Sequence, residues 1–500
     1  MTPPRVETAA GWIEGDRVTG PDGSPLLRFL GVPYAAPPVG ARRWRAPVPP
    51  APWTGVRPAR SFGPAAPQAG SVPSRLPPFH VADQGEDCLT ANVWTPAPTG
   101  RRPVLVCLHG GAYLSGGTAM GVFDGARLAA EHDVVVVTVG YRLGALGYLR
   151  IDAEEDGAGD CGLRDQIAAL AWVGAHAAAF GGDPANVTVF GESAGGGSVL
   201  HLCALRDRPA FRRAIVQSGE PRTLTTELAV RVRDAFLRAL ELDPAAPDVL
   251  DRARHRSVDA VLTAQAAVFA TLAGPTGLMP FHPTFSADLV DLDPITAFGA
   301  GRARGVDVVI GTCRDELSLW PDPRARDLDD AGLCRMLDRL AGGRGDPDRI
   351  LAAYRTGRPD RPAADVWSAA RTDAVLRVPA LRVADAHAAA GDRAFVYRFD
   401  WEAPDIGAAH AVDLPFTFGT FGRDGWGAAV GADRRPDEAE HLGRVLRSAW
   451  CGFAATGTPG HPDLPVWPVH DPRTRPTACF DATTQVVDDP AGAERAAWSD

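Results

Sequence analysis

The sequence predicts an α/β protein with a mostly parallel central sheet, helices on both faces and helical cap insertions. Two observations predict it. Four short runs, Val104 to Leu108 (VLVCL), Val134 to Val139 (VVVVTV), Val187 to Phe190 (VTVF) and Val306 to Ile310 (VDVVI), carry the apolar, β-branched character of strands buried on both faces. Between the second and third lies GLRDQIAALAWVGAHAAAF, apolar at helical spacing and closed by Gly181, Gly182 and Pro184. A strand, a helix and a strand in that order make a βαβ unit, which sets neighbouring strands parallel.

The elements follow in order along the chain. The Pro-rich segment 64–79 reads as a long surface loop, and the four runs supply the middle of the sheet. Residues of about 220–300 and 320–390 are rich in Ala, Arg and Leu and poor in strand pattern, so they read as helical caps laid on the sheet. With no internal repeat and no linker, residues 1–500 are expected to form one domain with insertions.

Composition narrows the partners. The 51 basic and 61 acidic residues leave a net charge of −10, which disfavours nucleic acid and anionic membrane surfaces and fits a small uncharged partner. Every basic residue is arginine, so lysine Schiff-base chemistry and a lysine-dependent phosphate loop are excluded. The N-terminal stretch MTPPRVETAAGWIEGDR has no basic region followed by an apolar one, and no run of about 18 apolar residues occurs. Eight scattered cysteines without CxxC pairs fit reduced thiols and hence a cytoplasmic protein; a monomer or weak homo-oligomer is expected. No His/Asp/Glu spacing calls for a metal, and no cofactor is expected.

The chemistry centres on VTVFGESAGGG (187–197), a GxSxG that follows a buried strand and opens a helix-compatible stretch. A turn sharp enough to hold Ser193 Oγ clear of the sheet strains the serine and requires small neighbours, which Gly191 and Gly195 supply. HGGA (109–112) leaves the strand VLVCL where backbone N–H groups can face a developing oxyanion, so Gly111, Ala112 and Ala194 are the candidate donors.

Among twelve histidines, His109 belongs to that loop, His176, His201 and His387 sit in helical patterns, and most others lie in polar surface contexts. His410, in the small-residue stretch GAAHAVDLPFTFG, is the candidate base, late in the chain as a Ser, acid, His order requires. Glu316, just beyond the strand in VVIGTCRDELSLW, is the candidate acid, and spacing leaves its neighbour Asp315 as a rival. Ser218 in QSGEP reads as a buried hydrogen-bonding hydroxyl at a strand end rather than a second nucleophile.

The chain resembles the type-B carboxylesterases, the carboxylesterase and cholinesterase family, and in particular their bacterial para-nitrobenzyl-esterase-like members. The resemblance rests on FLGVPYAAPPVGARRWRAP, EDCLTANVWTP, LHGGAYLSGG, GYRLGALGYL, FGGDPANVTVFGESAGG, RRAIVQSG, GTCRDE, HAVDLPFTFG, WCGFAATGTP and LPVWPVHD, in family order from end to end. It implies an α/β hydrolase fold, a Ser193, Glu316 and His410 triad with Glu as the acid, and oxyanion donors Gly111, Ala112 and Ala194. The implied activity is hydrolysis of small to medium esters through an acyl-enzyme, with amide hydrolysis as a side activity. A catalytically dead binding homologue is the rival from another class, and the intact triad residues speak against it.

Several positions depart from the family pattern. Ala66 stands where many secreted relatives carry the cysteine that pairs with the one in EDCL, so Cys88 is expected to be a free, buried thiol. Leu317 and Ala411 replace glycines common after the acid and the histidine. The loop from Ala66 to Cys88 lacks the tryptophan that would bind a quaternary ammonium, so choline esters are not expected as preferred substrates.

Overall fold

A computed structural model describes residues 2–70, 74–151, 159–273, 279–343 and 345–498. Fourteen strands occur among them: β1 (Arg5–Thr8), β2 (Gly11–Glu14), β3 (Asp16–Thr19), β4 (Pro25–Pro33), β5 (Val56–Pro58), β6 (Thr90–Thr95), β7 (Arg102–Leu108), β8 (Val135–Val139), β9 (Gly182–Glu192), β10 (Arg213–Gln217), β11 (Asp307–Cys313), β12 (Ala394–Phe399), β13 (Pro476–Phe480) and β14 (Gln485–Asp488). Eleven of them form one sheet in the order β14-β13-β12-β11-β10-β9-β7-β8-β6-β4-β3, and β1, β2 and β5 form a small separate sheet.

From β13 to β8 every pairing is parallel, while β14, β6, β4 and β3 add antiparallel flanks. The predicted apolar runs are the centre of this sheet. Their lack of alternation has a direct cause: Val104, Val106 and Leu108 enter one core, whereas Leu105 and Cys107 enter the core on the other face. Ala214 and Val216 against Ile215 divide the same way. Each buried Val, Leu or Ile contributes about 1.5–3 kcal/mol, so both faces must be covered.

The predicted helix between β8 and β9 spans Cys161–His176 and tightens into a 3-10 turn over Ala177–Phe180. Gly181, at φ +77°, ends it by entering the left-handed region that favours glycine. Of the two strand-poor stretches, the first holds helices Thr226–Ala239, Val249–Arg254 and Val258–Val268. The second holds Asp330–Ala341, Pro347–Gly357, Ala363–Thr372 and Val378–Ala389, with a small core of its own around Leu337, Tyr354 and Trp367. The described parts of 64–79 are loop, as expected.

Because β9 lies beyond β7 from β8, the connection after β8 reverses direction across β7. Parallel sheets open a crevice at the carboxyl edge where the order reverses. The residues that follow β7, β9, β10 and β11 all emerge at that edge. No helix among the described residues is long and apolar enough to cross a membrane.

Candidate active site

Ser193 sits between β9 and the helix Ala194–Ala204 with φ +58° and ψ −122°, a conformation that L residues rarely hold. Two hydrogen bonds fix it there: Ser193 N–H donates to the Gln217 carbonyl at 2.9 Å, and Gly197 N–H donates to the Ser193 carbonyl at 2.8 Å. The turn closes because its neighbours have no side chains. A Cβ added at Gly195 would lie 2.0 Å from the Leu108 carbonyl oxygen, and one at Gly191 would lie 2.5 Å from the Gly195 carbonyl carbon.

The loop after β7 presses on the same turn. A Cβ at Gly110 would sit 3.2 Å from Ser193 Cβ and 2.6 Å from Glu192 Oε2. Gly111 has φ +117° and Ala112 φ +57°, and the N–H groups of both donate to no acceptor among the described residues. Ala194 is the first residue of its helix, where an N–H has no intrahelical partner. Among the described residues the three predicted donors therefore all have an uncommitted N–H, two of them in the loop that packs on Ser193 through Gly110.

His410 and Glu316 are brought together. His410 Nδ1 lies 2.5 Å from Glu316 Oε2, and His410 N–H donates to the Glu316 carbonyl at 3.2 Å. Glu316 is wholly buried, and its other oxygen accepts from Ser218 Oγ at 2.6 Å and Cys313 N at 2.8 Å. Asp315, the rival acid, faces away, since its carboxylate accepts from Arg314 and from Ala408 N. Ser218 is buried at the exit of β10, and its hydroxyl is spent on Glu316, the structural part read for it from the sequence.

Sequence reasoning missed what faces the other side of the imidazole. Glu192 Oε1 lies 3.1 Å from His410 Nε2; apart from this ion pair, neither oxygen of this buried carboxylate has a hydrogen-bond partner. Among the described residues the Ser193 hydroxyl makes no hydrogen bond, and Glu192, the residue before it, is the group facing His410 Nε2. Asp413, also fully buried, faces the same group and accepts from Gln217 Nε2 at 2.7 Å. Burial pushes Glu192 up to about 8 and Asp413 up to about 6. Burial works against the charged form of His410, yet the carboxylates of Glu192 and Glu316, with Asp413 beyond, carry its pKa up to about 9. The Trp320 ring completes the surroundings at 5.3 Å from the His410 ring.

The signals for these residues were thin. Glu192 reads as an ordinary polar strand end, and Asp413 as one acid in a loop; only the fold turns both inward. His109 does lie in the loop after β7, where burial lowers it to about 4 and Tyr141 stacks on it at 4.4 Å. The expectation of surface contexts for most other histidines fails at His282 and His470, both buried. His282 is enclosed by the Tyr113 ring at 4.7 Å, a contact between residues far apart in sequence. All eight cysteines are unpaired, Cys88 among the buried ones as expected. No His/Cys/Asp/Glu group among the described residues could hold a metal ion.

Comparison with known proteins gives the same picture over the full length. A sequence model described as the carboxylesterase family matches residues 2–498. The chain is 35% identical over 507 residues to the para-nitrobenzyl esterase of Bacillus subtilis (strain 168), covering 99% of this chain and 98% of that one. It is 34% identical to the phenmedipham hydrolase of Pseudarthrobacter oxydans, with 94% and 93% covered. Among solved structures, a PNB esterase superposes with a TM-score of 0.88 at 33% identity over 100% of both chains. A carboxylesterase of Geobacillus stearothermophilus gives 0.87 at 36% identity over 99% of this chain and 100% of its own.

Proposed function

The chain belongs to the carboxylesterase family and is a carboxylic ester hydrolase; on that premise we propose that it is a serine esterase of small to medium esters, working through an acyl-enzyme on Ser193, His410 and Glu316. The observation that carries this reading is the strained Ser193 directly after Glu192, whose carboxylate lies 3.1 Å from Nε2 of an imidazole held on Nδ1 by the buried Glu316.

In the reaction, Ser193 Oγ attacks the ester carbonyl carbon while His410 Nε2 takes its proton. For that step His410 Nε2, which lies 3.1 Å from Glu192 Oε1, must face the serine hydroxyl. The tetrahedral oxyanion is held by the N–H groups of Gly111, Ala112 and Ala194, and a single such donor is worth about 10²–10³ in rate. His410 then gives its proton to the departing alkoxide, leaving the acyl-enzyme. Water attacks that carbonyl, yields its proton to His410, and the acid departs as the proton returns to Ser193. Glu316 holds the imidazole tautomer and stabilises the imidazolium. Esters have better leaving groups than amides, so amide hydrolysis is secondary. Eight free cysteines support a reducing, cytoplasmic setting.

The test is a panel of p-nitrophenyl and p-nitrobenzyl esters of rising acyl length, run on the wild type and on Ser193→Ala. Turnover of short to medium acyl groups, irreversible inhibition by a sulfonyl fluoride, and loss of at least about 10⁴-fold in the variant are expected. Comparable turnover in both proteins would refute the assignment.

A further inference from the structure

The segment that leaves β10 runs along the nucleophile turn and is held at almost every residue. Ser218 N–H donates to the Gly311 carbonyl, and Gly219 packs so closely on the elbow helix that a Cβ there would lie 2.5 Å from the Gly196 carbonyl carbon. The backbone of Glu220 comes next: its carbonyl oxygen lies 3.1 Å from the point where Gly197 would carry a Cβ. Gly197 lies about 6 Å along the helix axis beyond Ser193, so the Glu220 backbone packs on the elbow helix about one turn from the nucleophile. Thr223 Oγ1 then pairs with His201 Nε2 at 3.0 Å, and Leu224 is bonded in both directions to Pro283 and Phe285.

On this rigid base the chain displays a charged pair. Arg222 Nη2 lies 2.7 Å from Glu220 Oε1, with side chains 34% and 23% exposed. The pair abuts the oxyanion loop, because the Tyr113 hydroxyl lies 2.8 Å from the same Gly197 point and the Tyr113 ring packs on His282. Burial, together with the nearby His201 and Arg222, holds His282 well below its ordinary pKa, so the Arg222 guanidinium, and not this histidine, carries the positive charge here. A half-exposed ion pair adds little to stability. A wall serving only alkyl groups gains nothing from it. Glu220 is the one partner of Arg222 among the described residues, which leaves the Nε and Nη1 donors of the fork uncommitted. The arginine is also the more exposed partner, with Glu220 behind it as a brace.

We propose that Arg222, braced by Glu220, recognises a carboxylate, and that the site prefers esters carrying a second, ionised carboxyl group, such as half-esters of dicarboxylic acids. This rests on the reading of Ser193 as the nucleophile. The recognition is a charge-assisted pairing of the guanidinium with the carboxylate, available to a substrate whose ester carbonyl already sits at Ser193.

The test compares kcat/KM for monomethyl adipate with that for methyl hexanoate, and for 4-acetoxybenzoate with 4-methylphenyl acetate. The first pair places the carboxylate on the acyl side, the second on the alcohol side. For wild type, Arg222→Met and Glu220→Gln, the ratio of charged to neutral ester is the readout. In one of the two pairs it should fall about tenfold or more in Arg222→Met and rise in Glu220→Gln, where no acid competes for the fork. Raising the salt to about 1 M should lower the wild-type ratio, which keeps the test valid if a variant misfolds. Ratios that are unchanged by both substitutions and by salt in both pairs overturn the proposal. Failure of the wild type to hydrolyse any of the four esters would instead overturn the esterase reading itself.

Discussion

Replacing Gly195 with alanine probes the one contact on which the nucleophile turn and the oxyanion loop both depend. The added Cβ would lie 2.0 Å from the Leu108 carbonyl oxygen, 2.8 Å from its carbonyl carbon and 2.9 Å from the His109 carbonyl oxygen. Ordinary contact begins near 3.4 Å, so something must move by more than 1 Å. None of the three atoms is a flexible side-chain end. All belong to the end of β7 and the first residue of the loop that carries Gly111 and Ala112. Overpacking costs about 1–3 kcal/mol, and backbone neighbours put this site at the top of that range. Moving the oxyanion donors by about 1 Å costs a further ~10² in kcat or more. The assay pairs urea unfolding with kcat on p-nitrophenyl butyrate. The control is Gly174→Ala, on the exposed face of the helix Cys161–His176, where an added Cβ meets nothing within 4 Å. That change should stabilise by about 0.5–1 kcal/mol and leave kcat alone. If Gly195→Ala unfolds within about 0.5 kcal/mol of wild type and keeps its kcat within a few-fold, the close-approach argument is wrong.

Three more outcomes follow from the buried charges. A neutral His410 is the form that accepts a proton, so kcat/KM rises with pH through the pKa of this group. Glu192, Glu316 and Asp413 all face it and raise that pKa. Glu192→Gln removes one carboxylate and should move the rising limb to lower pH by about one unit or more, read from a full pH profile; an unmoved limb would show that Glu192 does not set it. Ser218→Ala removes the hydroxyl that donates to Glu316 at 2.6 Å and should lower kcat about tenfold with little change in KM, whereas a loss as deep as that of Ser193→Ala would mean Ser218 is itself a nucleophile. Asp165→Ala strips a buried carboxylate from Arg142, which it meets through Nη2 at 2.6 Å and Nε at 2.8 Å, and should cost about 3–5 kcal/mol in urea unfolding.

What the sequence made legible has a common physical cause. Ser193, Gly111, Ala112 and Ala194 stand out because a sharp turn and a close backbone approach demand small residues at fixed positions, and those demands are written locally. His410 and Glu316 were legible as late loop and strand-exit residues, but the choice between Glu316 and Asp315 needed the direction of two adjacent side chains. The central strands were readable because they are buried on both faces. The flanking strands were not: β3 and β14 are half-exposed and carry no continuous apolar run, while the largely buried β4 and β6 break theirs with Arg28 and with Thr90, Asn92 and Thr95. Ser218 could be read as buried, yet its partner depends on the pairing of β10 with β11, which sets Gln217 opposite Gly311.

Glu192 marks the limit of such reading and also explains the site's electrostatics. A carboxylate at a strand end is ordinarily a solvated group, whereas here it lies under the oxyanion loop with the imidazole as its one ionic contact among the described residues. Three buried acids around one histidine would be intolerable if all were ionised without a counterion. Burial answers this by raising Glu192 to about 8, so one proton is retained near the imidazole at neutral pH. In the proposed reaction, the positive charge that His410 gains with the serine proton is met by the Glu316 carboxylate already in place on Nδ1. The imidazolium then needs no reorganisation to be stabilised, and a site that is costly in the resting state is least so at the moment charge develops.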